Sequence, residues 1–166
     1  MAKNTIKLKK YLDIINEYEA NAAITPGMLI EVMSTGKVRA HATAGGNILP
    51  MIALEDELQG NGIDDDYAAA DQVQCWVPVR GEEAYLILED GETAVIGSLL
   101  ESAGNGNVQV HVPDKETVGA DSSGNRTTIY GNQIVGIALE AKNLAESSGG
   151  ESSGLMGNQR IAVRIL

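Results

Sequence analysis

Phenylalanine is absent from this 166-residue chain, and aromatic residues make up only 4% of it. A surface that stacks sugars needs such rings, so the composition argues against a carbohydrate platform. There is one cysteine, Cys75, which cannot bridge internally, so the fold does not rest on an oxidising compartment. No apolar run approaches the roughly 20 residues of a membrane-spanning helix. The opening residues are basic with no apolar stretch behind them, and no secretory signal is expected. Basic residues are also scarce: 12 stand against 23 acids, a net charge of -11. Four of the 12 are Lys3, Lys7, Lys9 and Lys10, which leaves eight basic against 23 acidic residues, or -15, from position 11 onward. Such a body repels nucleic acid and anionic membrane, and neither is expected as a partner. Its basic tip is suited to an acidic partner or to solvent.

What the chain does have is glycine, 19 residues of it, much of it in turns. The stretch GMLIEVMSTGKVRAH begins at Gly27, and GSLLESAGNGNVQVH begins seventy residues later at Gly97. Gly27/Gly97, Leu29/Leu99, Glu31/Glu101, Gly36/Gly106, Val38/Val108 and His41/His111 are identical, where chance gives about one match in such a window. Each copy reads as a β-hairpin: a short apolar strand, a glycine turn, then an alternating strand. Val38 and Ala40 share one face, with Lys37, Arg39 and His41 on the other. An Ile-Ala-Leu-Glu segment follows each copy, at Ile52 and at Ile137, the second spacing being fifteen residues longer. This shared order favours duplication over two hairpins that merely share turn and strand preferences.

Residues 1–24 contain neither proline nor glycine. Tyr11–Ala23 fits a short helix or an extended segment, and the alternation Ile6, Leu8, Lys10 favours extension. We therefore expect an extended N-terminal arm over 1–24 and a β domain over 25–166. Further strands are expected at Val73–Val79, Ala84–Leu88 and Arg160–Leu166. Short strands with glycine-rich turns read as all-β, a small barrel or sandwich. Long loops are expected around Leu58–Asp71, Gly119–Asn132 and Leu144–Asn158.

Chemistry is sparse. His41 and His111 sit on the polar side of equivalent strands, which points to inheritance and not to a base with an orienting partner. Cys75 shares a face with Val73 and Val77 and reads as a small hydrophobe. Asp64, Asp65 and Asp66 lack the spacing of a calcium loop and read as a solvated turn. Gly36-Lys37 is followed by Val38 where a phosphate loop needs Ser or Thr. Asn125-Arg126-Thr127 matches a glycosylation sequon. No catalytic residue, cofactor or metal ligand is assigned. Trp76 and Arg80, opposite Cys75, are either a plug in the fold or interface anchors.

The order of segments, AAITPGMLIEVMSTGKVRAH, LPMIALEDELQG, DQVQCWVPVRGEEAYLILEDGE, the second hairpin, YGNQIVGIALEA and RIAVRIL, resembles the capsid decoration (cement) proteins of tailed bacteriophages. The resemblance implies a β-barrel of the β-tulip type with an N-terminal arm. It implies a homotrimer on the outer surface of the phage head, made in the host cytoplasm, that bridges major capsid protein subunits. It also implies binding without turnover. Lys3, Lys7, Lys9, Lys10, Tyr11, Trp76 and Arg80 are then the candidate capsid or trimer contacts. A virion adhesin or carbohydrate-binding β module is the alternative.

Overall fold

The structure, a computed structural model, describes residues 6–9, 15–117, 125–128, 130–145 and 159–166. Its strands are β1 (Lys7–Lys9), β2 (Ile15–Glu19), β3 (Ile30–Val32), β4 (Val38–Ala40), β5 (Ile52–Ala53), β6 (Gln72–Trp76), β7 (Glu83–Ile87), β8 (Thr93–Ala94), β9 (Leu99–Ser102), β10 (Val108–Val110), β11 (Asp114–Thr117), β12 (Asn125–Thr128), β13 (Ile134–Ala138), β14 (Lys142–Asn143) and β15 (Arg160–Ile165). No helix occurs among the described residues, so the fold is all-β as expected.

The chain lays down the same strand order twice. In the first half β2-β6-β5 form one sheet, and a bridge between Leu29 and Ile52 attaches the β3-β4 hairpin. In the second half β7-β15-β13-β9-β10 follow one another within a six-stranded sheet whose far edge is β1. The registers coincide. Ile30 faces Ala40 as Leu100 faces Val110, and Ile52 faces Trp76 as Ile137 faces Arg164. The bonds at strand ends repeat as well. His41 donates its backbone N–H to Leu29 at 2.9 Å, and His111 donates to Leu99 at 2.8 Å. Gly27 donates to Ala53 at 2.8 Å, and Gly97 to Ala138 at 2.9 Å. Gly27 and Gly97 both hold φ near +90°, at 93° and 89°, a conformation that favours glycine. The repeat therefore spans a whole five-stranded unit, of which the hairpin is the part that kept its sequence.

Parallel bridges from Ala20 to Val38 and from Leu88 to Val108 curl each half toward closure. The six-stranded sheet nevertheless keeps two edges, β1 and β10, and the sheets do not form the closed barrel expected from the sequence. The longer second half includes an antiparallel ribbon, β11 with β12, and β12 falls within the Gly119–Asn132 segment expected as a loop.

Two apolar clusters hold these units. Ile24, Ile30, Val38, Ala53, Val73 and Cys75 fill the first half. Leu29, Ile52, Leu54 and Trp76, on the opposite face of the same strands, join Leu86, Leu88, Leu100, Val108, Val135, Ile161 and Val163 of the second. Strand β6 is thus covered on both sides, Cys75 facing one cluster and Trp76 the other. Residues 1–24 do not stand apart where they are described. Ile6 is fully buried in the larger cluster, β1 pairs with β7, and β2 pairs with β6 along its whole length.

Candidate interaction surface

The two histidines are buried, against the expectation of a polar outer face. His41 is covered because the second hairpin lies over the base of the first. Its Nε2 donates to the Asn47 carbonyl at 3.3 Å, so Nδ1 accepts from the Ser102 hydroxyl at 2.7 Å. Glu31 Oε2 lies 3.8 Å from the same Nε2. The Glu31, His41, Ser102 sequence has the order of a catalytic triad. Ser102, however, is fully buried, and its Oγ also accepts the Gly104 N–H at 3.1 Å. The hydroxyl is a tie between the halves. His111 meets Glu101 instead, Nδ1 to Oε2 at 2.5 Å. Glu101 is steadied by Gln109, whose side-chain amide donates to Oε1 at 2.9 Å.

Cys75 is buried, and its surroundings push the thiol up to about 12, which leaves it protonated and inert. The acidic triplet is not wholly solvated. Asp64 pairs with Arg160 at 2.6 Å, and Asp65 accepts the Gly62 N–H at 2.7 Å. Arg160 is fully buried and reaches across to the Pro26 and Ile63 carbonyls as well. Its only sequence signal is a charge opening the apolar run RIAVRIL. Among the described residues no group of three or more His, Cys, Asp or Glu is placed to hold a metal ion.

Of the seven candidate contacts, Lys3, Lys10 and Tyr11 lie outside the described residues. Lys7 and Lys9 fall in β1, opposite Ala84 and Glu83 of β7. Trp76 is 0% exposed, so its anchor reading gives way to the plug reading: the second half packs on the face that strand alternation left open. Of the two candidates whose side chains are described, Trp76 and Arg80, Arg80 reaches an open surface. It lines a groove of about 340 Å³ with Leu99, Gly131, Ile134 and Leu166. A smaller one of about 200 Å³ runs along the first hairpin, between Val32, Leu49, Met51 and Val77. Leu49 is 81% and Val32 50% exposed there, an apolar lip that strand patterning did not single out because Leu49 lies in a loop. These surfaces are open and largely apolar, the character of a contact site.

No protein-family model and no curated protein matches this chain. Among solved structures it is similar to the crystal structure of the head fiber gp8.5 N base in bacteriophage phi29. That likeness covers 93% of this chain and 95% of the other, with a TM-score of 0.52 and 12% sequence identity. At that identity the likeness is one of fold, extending over both halves.

Proposed function

We propose that this chain is a structural protein of a phage virion that sits on the outside of the head and stabilises the shell by bridging major capsid protein subunits. The observation that carries the reading is the fold shared with a phage head fiber base over nearly the full length of both chains. The order of sequence segments, which resembles that of decoration proteins, supports it independently. So does the acidic body, with net charge -15 from position 11 onward (8 basic against 23 acidic residues), which suits a position outside the shell and away from packaged DNA.

A cement protein must touch two or more shell subunits and make them harder to separate. One contact of standard size buries roughly 800 Å² per partner. Copies joined in an oligomer, the expected trimer, turn the second and third contacts into intramolecular events, which slows release far beyond that of one site. The four lysines of residues 1–10 are suited to acidic residues on the shell.

Cosedimentation of the full chain with mature, expanded empty heads of the parent phage tests this. Retention on expanded heads, and less on immature shells, is the expected result. Free protein in both mixtures, with equal shell stability with and without it, overturns the reading.

A further inference from the structure

We propose that copies of this chain associate head to tail, the first hairpin turn (Ser34-Thr35-Gly36) of one copy seating on the Leu99–His111 base of the next. This contact is already made once inside each chain. The turn of the second hairpin lies on the base of the first: Leu29 donates its N–H to Gly106 O at 2.7 Å, and Gly106 donates to His41 O at 3.2 Å. His41 and Leu29 keep one direct bond, His41 N–H to Leu29 O, and Gly106 takes the place of the second, Leu29 N–H to His41 O. The fit is close, for a Cβ on Gly106 would come within 3.1 Å of Met28 and Ala40.

Among the described residues, the equivalent parts at the other ends of the repeat are unfilled. Gly36 stands where Gly106 does, with φ +81° against +90°, and a Cβ there would meet nothing within 4 Å. Leu99 and His111 stand where Leu29 and His41 do, with the same N–H to carbonyl bond between them, and among the described residues no backbone group is inserted there. Burial follows suit. Leu29, Ile52 and Leu54 are covered by the second half, whereas their counterparts Leu99, Ile137 and Leu139 are each partly exposed. Leu99 also lines the groove of about 340 Å³, open beside Arg80. The first hairpin carries exposed apolar residues of its own, Val32 and Leu49, along its groove.

A chain built from two like units has one surface of each kind left over, so the occupant that fits is a second copy. The contact joins different surfaces on the two partners, and such contacts propagate until the ring closes. Its use to the protein rests on the multivalent reading above, but the contact itself does not.

The test uses the full chain. Light scattering should show assemblies larger than 17.5 kDa, and Leu99→Lys should weaken them by at least about tenfold, while Leu58→Lys, at another exposed leucine, should not. Cysteine cross-linking reads the polarity directly, since native Cys75 is buried. Thr35→Cys and Ser98→Cys proteins should cross-link when mixed, and neither should cross-link with itself. A monomeric wild type overturns the proposal. So does self-cross-linking of either single variant, or an assembly indifferent to Leu99→Lys. Head binding by a monomer would sink this contact and leave the function above standing.

Discussion

Arg160 on β15 and Asp64 in the loop before β6 form an ion pair at 2.6 Å across 96 positions of the chain, with the guanidinium fully buried and the carboxylate 59% exposed. The arginine pins a loop of the first half to the last strand of the second. Removing the acid leaves a buried cation with two carbonyls and no counter-charge. Because the carboxylate faces solvent, the full penalty for breaking a buried pair does not apply, and Asp64→Ala should cost about 1–2 kcal/mol. Urea unfolding of the two proteins measures it, and Asp65→Ala serves as the neighbouring control.

Trp76 is the chain's one tryptophan and lies within the larger cluster, shared between the halves. Truncation to alanine should cost about 3–5 kcal/mol, the range for a large buried aromatic. The native protein should emit at short wavelength and shift to the red on unfolding. A solvent-exposed emission spectrum in the native state would contradict this placement.

The contrast between Trp76 and Cys75 shows what the sequence made legible. Strand positions, turn glycines and the repeated hairpin are local matters of alternation and φ, and they could be read directly. Alternation also identified the Val73–Cys75 face as buried. It could not show that the opposite face is buried as well, because the cover comes from residues about 10 to 90 positions away, Leu86 to Ile161. The same limit hid the burial of His41, which depends on Ser102. The larger repeat was hidden for another reason. β5 and β13 share Ile-Ala-Leu-Glu, but Trp76 and Arg164 occupy one equivalent position with unrelated chemistry, since one faces the other half and one faces solvent. Arg80, unlike Trp76, was left on an open groove.

Stability should fall at alkaline pH. Burial raises Cys75 from 9.0 to about 12 and Tyr67 from 10.0 to about 12. Both are neutral when protonated, so the folded state holds its protons to higher pH than the unfolded chain does. Below about pH 8 both states are protonated and these groups add no slope. Above it the unfolded state gains by ionising, and stability drops by up to about 1.4 kcal/mol per pH unit for each group. Tyr67 makes the larger structural point, since its hydroxyl donates to Leu54 O at 2.8 Å. Urea midpoints from pH 7 to 11 follow the effect, and Cys75→Ala should remove the part that begins near pH 9.

Deleting residues 1–20 should unfold the protein, in place of yielding a trimmed but intact body. The deletion removes Ile6, fully buried, together with β2, which lines β6 over five paired positions. It also removes the Ile6 carbonyl that accepts the Tyr85 N–H at 2.8 Å. Loss of the β signal in circular dichroism, and of a cooperative thermal transition, is the expected outcome. Removal of residues 1–5 alone leaves these contacts in place and should preserve both.

Gly36 and Gly106 offer a matched pair for measuring what holds the halves together. Both occupy the same turn position with nearly the same positive φ, so alanine at either site carries the same backbone strain of about 1–2 kcal/mol. Only at Gly106 does the added methyl also press on Met28 and Ala40, 3.1 Å away in the other half. That overpacking adds about 1–3 kcal/mol. Gly106→Ala should therefore be the more destabilising by that margin in urea unfolding. Gly36→Ala should leave the chain folded and act instead on the assembly, raising the concentration at which copies associate. Equal losses of stability at the two sites would mean that the halves separate without resistance at this turn, and that the repeat is a likeness of shape without a shared contact.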